Sequence, residues 1–185
     1  ADAAETKAAV KWAASYKGPV YIRMGRAKCE DIMPDDKPFV PGKSTTLRDG
    51  NDVTFITCGI MTAKALTAAE TLAKQGISAR VINMSSIKPI DEEAVMSAVM
   101  DTRRIITVED HSVMGGLGSA VAEVVAKSGK ACAFKMLGHQ DEFSTIGLHE
   151  DLMSIAKIDA NGIAETIAEV MHQDFEADDA WDDEF

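Results

Sequence analysis

Aromatic residues are scarce in this 185-residue chain, at 5% of positions. With alanine abundant, that scarcity disfavours an all-β sandwich and favours closely packed helices. Only three cysteines occur, Cys29, Cys58 and Cys132, an odd number with no Cys-x-x-Cys pair. A disulfide framework and structural zinc are disfavoured, and reduced thiols in a cytoplasmic setting are expected. No apolar run approaches the ~20 residues of a membrane-spanning helix, and the opening Ala-Asp-Ala-Ala-Glu does not resemble a signal peptide. Basic residues are in deficit, 19 Lys and Arg against 30 Asp and Glu, for a net charge of −11. Neither half offers a basic face, so nucleic acid is not an expected ligand.

What remains is the composition of a globular chain, 46% hydrophobic and 26% charged, long enough for one to one and a half domains. Its acidity is uneven. Residues 174–185 carry seven acids and no base, leaving −4 for the rest. The stretch 173–185 therefore reads as a solvated, disordered acidic tail. Its Phe175, Trp181 and Phe185 offer a second reading, docking on a basic partner surface.

Along the chain, residues 2–16 are alanine-rich, and Ala9, Val10, Ala13 and Ala14 supply one helical face. Gly18-Pro19 stops that helix, and residues 20–24 (Val-Tyr-Ile-Arg-Met) predict a strand. A βαβ unit needs a preceding strand, so residues 1–26 read as the tail of a domain whose body lies elsewhere. Residues 27–43, rich in Asp and Pro, read as a linker, with Phe39 and Val40 anchoring it on the next domain. From 44 to 172, strand and helix alternate. Strands are expected at 45–47, 53–58, 77–84, 105–108 and 131–137, with Asp49-Gly50 turning the first two into a hairpin. Helices are expected at 62–74, after an Asp91 N-cap, after the glycine turn at 115–118, and after an Asp159 cap. Near-continuous apolar strands imply a three-layer α/β/α fold, a mostly parallel five-stranded sheet with one antiparallel edge strand. The methionines at 96, 100, 114, 136, 153 and 171 read as core filler.

The stretch 104–119 carries the chemistry. Ile105, Ile106 and Val108 lead to Glu109, Asp110 and His111, a polar tip of the kind that lines the carboxyl edge of an open α/β sheet. One histidine beside two acids lacks the spaced ligands of a zinc motif, so no metal is assigned. Gly115, Gly116 and Gly118 open a helix with Leu117, Val121, Val124 and Val125 on one face. Gly-Gly-x-Gly-Ser is neither a P-loop nor a dinucleotide fingerprint, which favours close strand–helix packing over phosphate binding. His139 and Asp141 form a further polar cluster in the loop after the last strand.

Four blocks then resemble one family in order. They are 18–26 (Gly-Pro-Val-Tyr-Ile-Arg-Met-Gly-Arg), 83–91 (Asn-Met-Ser-Ser-Ile-Lys-Pro-Ile-Asp), 108–119 (Val-Glu-Asp-His-Ser-Val-Met-Gly-Gly-Leu-Gly-Ser) and 138–147 (Gly-His-Gln-Asp-Glu-Phe-Ser-Thr-Ile-Gly). The first resembles the closing strand of the transketolase pyrimidine-binding domain, and the others its carboxyl-terminal domain. Together they cover about residues 1–172, with split transketolases nearest. One departure stands out: Ser144 follows Phe143 where the family usually has glycine.

The resemblance implies a thiamine-diphosphate-dependent transferase that moves a two-carbon ketol unit between sugar phosphates. In that family the coenzyme and a divalent metal, magnesium, lie between two domains across a dimer interface, and the regions that grip them have no counterpart here. An amino-terminal part or subunit is thus the expected partner, in a homodimer or heterotetramer. This chain alone is expected to bind no thiamine diphosphate. The resemblance assigns Arg26 to the substrate phosphate; Arg23 reads as a structural ion-pair partner. The resemblance also assigns Glu109, Asp110, His111, His139 and Asp141 to an interface or the substrate channel, with no catalytic residue. Two alternatives stay open: the corresponding part of 1-deoxyxylulose-5-phosphate synthase, and a non-catalytic docking domain like that of 2-oxo acid dehydrogenase beta subunits.

Overall fold

A computed structural model describes residues 1–26, 28–34 and 37–172. The acidic stretch 173–185 lies outside them. Its elements in order are α1 (Ala3–Ser15), β1 (Thr45–Arg48), β2 (Val53–Thr57), α2 (Met61–Ala73), β3 (Ala79–Asn83), α3 (Glu92–Asp101), β4 (Arg104–Ser112), α4 (Leu117–Ser128), β5 (Ala133–His139), α5 (His149–Ile155), α6 (Ala160–Glu165) and α7 (Ile167–Met171).

The five strands form one sheet in the order β1-β3-β2-β4-β5. Only the β1–β3 pairing is antiparallel, and β1 is an edge, so the expected fold class holds. All five residues of β2 are buried, as a central parallel strand covered on both faces requires. The two-residue period splits the core. Val53, Phe55, Ile106 and Val108 meet α2, α6 and α7 on one face, through Leu72, Ile163 and Val170 among others. Ile56 and Ile105 meet α3 and α4 on the other, through Val95, Val99, Leu117 and Val121. The 105–108 run accordingly lies inside the sheet, between β2 and β5.

The start of α3 is tied to β1 by one carboxylate. Asp91 accepts from the Ala94 N–H at 3.3 Å as N-cap, and from the Ser44 N–H and hydroxyl at 2.7 and 2.9 Å. Burial opposes its charge, but those donors and nearby Lys43 outweigh that and hold its pKa below the ordinary carboxylate value.

Several expectations are corrected. Asp49-Gly50 makes no β1–β2 hairpin, because β3 lies between those strands. The turn instead carries the chain past the start of β3: a Cβ on Gly50 would stand 2.3 Å from the Ala79 carbonyl carbon, and the Asp52 N–H donates to Ser78 O at 2.9 Å. Residues 20–24 belong to no strand. A strand exists by pairing, and no described strand of this chain lies beside them to supply it. Helix α1 buries Ala9 but leaves Val10 48% exposed. Its inward side is polar instead, with Asp2 accepting from the Ile32 and Met33 N–H groups and Glu5 accepting from the Asn83 amide at 2.7 Å. Phe39 packs on Trp12 of α1 at 5.4 Å and lines, with Val40, a cleft that Thr45 of β1 also borders, and Val40 is half exposed. The last helical stretch breaks at Thr166 into α6 and α7, and α5 is additional. Of the methionines, Met153 is buried, whereas Met100 and Met114 are each 58% exposed.

Candidate functional site

Strands β2 and β4 are neighbours, but the chain leaves them in opposite directions. After β2 it crosses α2 to β3, and after β4 it crosses α4 to β5 on the other side. The two helices lie on opposite faces of the sheet. This is a topological switch point, where open α/β sheets form a crevice beyond their carboxyl ends. Three groups of residues gather there: 58–60 after β2, 109–112 at the end of β4, and 138–139 at the end of β5.

Glu109 is only 1% exposed and turns inward. Its two carboxylate oxygens accept from the Leu117 and Gly118 N–H groups at 2.7 and 2.8 Å. The first turn of α4 thus receives a full negative charge where the helix dipole favours one. Any larger residue there would have to displace a neighbour: a Cβ on Gly116 would fall 2.0 Å from Glu109 Oε2, and one on Gly118 would fall 2.7 Å from Met136 Sδ. The polar tip and the glycine turn are therefore one device, strand end locked to helix start. Glu109 is thereby occupied as a cap, and the Leu117 and Gly118 amides that it holds are not available for phosphate.

Asp110 points the other way. Its Oδ1 lies 3.0 Å from His139 Nε2, bridging β4 and β5, and both side chains are partly exposed. His111 is exposed, with Nδ1 2.9 Å from Ser112 O and 3.9 Å from Glu109 Oε2. Asp141 is exposed in the turn after β5, and no hydrogen bond joins it to the Asp110–His139 pair. Among the described residues, no group of three or more His, Cys, Asp or Glu is placed to hold a metal ion.

Residues 23–25 pass over this edge. Arg23 Nη2 donates to the Asp110 carbonyl at 2.6 Å, a backbone contact, where an ion pair is expected and none is formed with the described residues. A Cβ on Gly25 would stand 3.7 Å from Ile60 Cγ2. Arg26, the next residue, is exposed to solvent beside the switch point. Below, burial and then the charge of Glu109 push the Cys58 thiol up to about 12, only partly offset by Arg23. That thiol stays protonated and is a poor nucleophile. Sequence reasoning named Asp110 and His139 separately. Their pairing, and the reach of Arg23 across 87 positions, carry no local signal.

Residues 42–163 match the family of the transketolase C-terminal domain. A 6-deoxy-6-sulfo-D-fructose transketolase subunit from Clostridium sp. (strain MSTE9) is 42% identical over 171 residues, 91% of this chain and 52% of that protein. A solved structure described as a split gene transketolase, inactive beta4 tetramer, superposes with a TM-score of 0.88 at 42% identity, over 92% of this chain and 56% of that one. More distantly, 1-deoxy-D-xylulose-5-phosphate synthase of Syntrophotalea carbinolica is 33% identical over 94% of this chain but only 28% of its own length. The chain thus spans about half the length of the transketolase relatives it matches. By the matched domain and by the fold, the chain belongs to the transketolase family and carries its C-terminal domain.

Proposed function

We propose that this chain is the carboxyl-terminal part of a two-part, thiamine-diphosphate-dependent transketolase, transferring a two-carbon ketol unit between sugar phosphates. Residues 1–26 are the closing portion of the pyrimidine-binding domain, 27–43 the linker, and 44–172 the C-terminal domain. The partner is an amino-terminal subunit or segment, and the assembly is a homodimer or a heterotetramer. One observation carries the reading: residues 23–25 lie over the switch point and leave Arg26 facing solvent beside it. A guanidinium there presents a permanent charge in a fork suited to a dianion. The sulfosugar in the Clostridium relative's name likewise ends in an anionic group, there a singly charged sulfonate.

The described residues do not themselves fit the coenzyme's diphosphate and metal. The Leu117 and Gly118 amides are given to Glu109 and the Gly115 amide to Ser119 Oγ, and among the described residues no group of carboxylates and histidines is placed around a cation. When bound in the complete enzyme, the coenzyme supplies the carbanion chemistry of ketol transfer, and this chain's share is orientation and phosphate recognition.

Calorimetry of this chain alone should show no thiamine diphosphate binding, with binding appearing once the amino-terminal part is added. A micromolar site on the chain alone would overturn the division of labour. In the assembled enzyme, Arg26→Ala should raise KM for phosphorylated sugars about tenfold or more, as loss of a charged hydrogen-bond donor does, and much less for unphosphorylated analogues. An equal rise for both would remove the phosphate role. The synthase match supports a second reading, in which pyruvate is the donor and glyceraldehyde 3-phosphate the acceptor. Carbon dioxide release from pyruvate by the assembled enzyme distinguishes it.

A further inference from the structure

Strand β4 is irregular where Arg23 meets it. Its pairing with β5 runs in register to Val108↔Leu137 and resumes at Ser112↔His139, so residues 109–111 stand opposite Gly138 alone. The extra residues arch over that glycine, where a Cβ would stand 2.7 Å from the His111 carbonyl oxygen and 3.2 Å from that of Glu109. A bulge of this kind turns backbone groups out of the ladder and re-aims them. The Asp110 carbonyl is one such group, and it accepts Arg23 Nη2 at 2.6 Å. The arch is fixed on both sides: the Asp110 carboxylate is paired to His139, and the Val113 N–H donates to His139 O at 3.0 Å.

The segment that Arg23 belongs to has little else to hold it. Residues 16–25 form no helix or strand, Tyr21 is 88% exposed and Met24 is 59% exposed. Ile22 alone among residues 16–25 is half-buried, so apolar burial holds the stretch weakly, and ordering it carries a substantial entropy cost. Arg26 lies three residues from the anchored Arg23, within roughly 10 Å of chain. Fixing one fixes the range of the other.

We infer that Arg23 is a positioning residue: held on the Asp110 carbonyl that the β4 bulge presents, it sets where Arg26 stands over the switch point. The inference rests on the assignment of Arg26 to the substrate's anionic group. The C-terminal domain thereby acts on substrate recognition through a backbone carbonyl.

Two measurements test this. The first uses this chain by itself. Trypsin should cut after Arg26 several-fold faster in Arg23→Gln than in the wild type, followed by mass spectrometry under native conditions, with the thermal midpoint of the core unchanged. Equal cleavage rates would overturn the tether. The second uses the chain assembled with its amino-terminal part. Arg23→Gln should raise KM for a phosphorylated acceptor several-fold more than it lowers kcat, Arg23→Lys should recover most of the loss, and Arg23→Gln should add nothing to Arg26→Ala. A full additional loss in the Arg26→Ala background would overturn the positioning role. Faster cleavage together with an Arg26→Ala enzyme that keeps its phosphate preference would uphold the tether and remove only the assignment of Arg26.

Discussion

Glu109 joins the end of β4 to the start of α4 through two short hydrogen bonds in a site closed to water. Glu109→Ala leaves two helix amides buried without an acceptor, and should cost about 2–4 kcal/mol in urea denaturation. Formate should restore part of that loss in the variant and have no such effect on the wild type, since a small anion that binds only the folded state stabilises it by mass action. Gly116→Ala drives a methyl into the same carboxylate and should cost about 2 kcal/mol or more. The acidic tip and the glycine turn were both legible as features, and their close packing was expected from the glycines alone. That one feature fills the other was not, because the bond joins residues 8 and 9 positions apart through a fold-dependent bend. Pairings between distant positions, such as Asp110 with His139, have no counterpart in periodicity or spacing.

The elements themselves were largely written in the pattern. The strands at 53–58, 77–84 and 105–108 were readable because a parallel sheet needs apolar runs, and Asp91 and Asp159 announced their helices as side-chain caps. The hairpin expectation failed for a physical reason: Asp-Gly specifies a tight turn, and whether the strands beside it pair is decided by what else competes for the edge. Here β3 wins both neighbours. Gly50→Ala should therefore destabilise the whole sheet, by about 2 kcal/mol or more, rather than alter a local hairpin, and the loss should appear in the single global transition. Asp91 gives a pH signature at this scale. Its folded pKa lies below the unfolded value, so its contribution is present above pH ~4 and fades as pH falls through the folded pKa. Asp91→Asn should flatten the acid limb of the stability curve, measured by thermal midpoint between pH 2 and 6, and lower stability at neutral pH by about 1–2 kcal/mol.

Across the whole molecule, the residues before β1 and the sheet are held together differently from the sheet and its helices. The α/β layers share two apolar clusters. The described residues before β1 touch the sheet's carboxyl edge through polar links, Glu5 with Asn83 and Arg23 with Asp110, while Asp2 and the Trp12–Phe39 contact fold the segment on itself. Links of that kind break one by one without exposing oil to water. Native-state hydrogen exchange should accordingly find the α1 amides opening at far lower free energy than those of β2. The front of this polypeptide is latched to the block behind it rather than fused with it, and should part from it before that block itself opens.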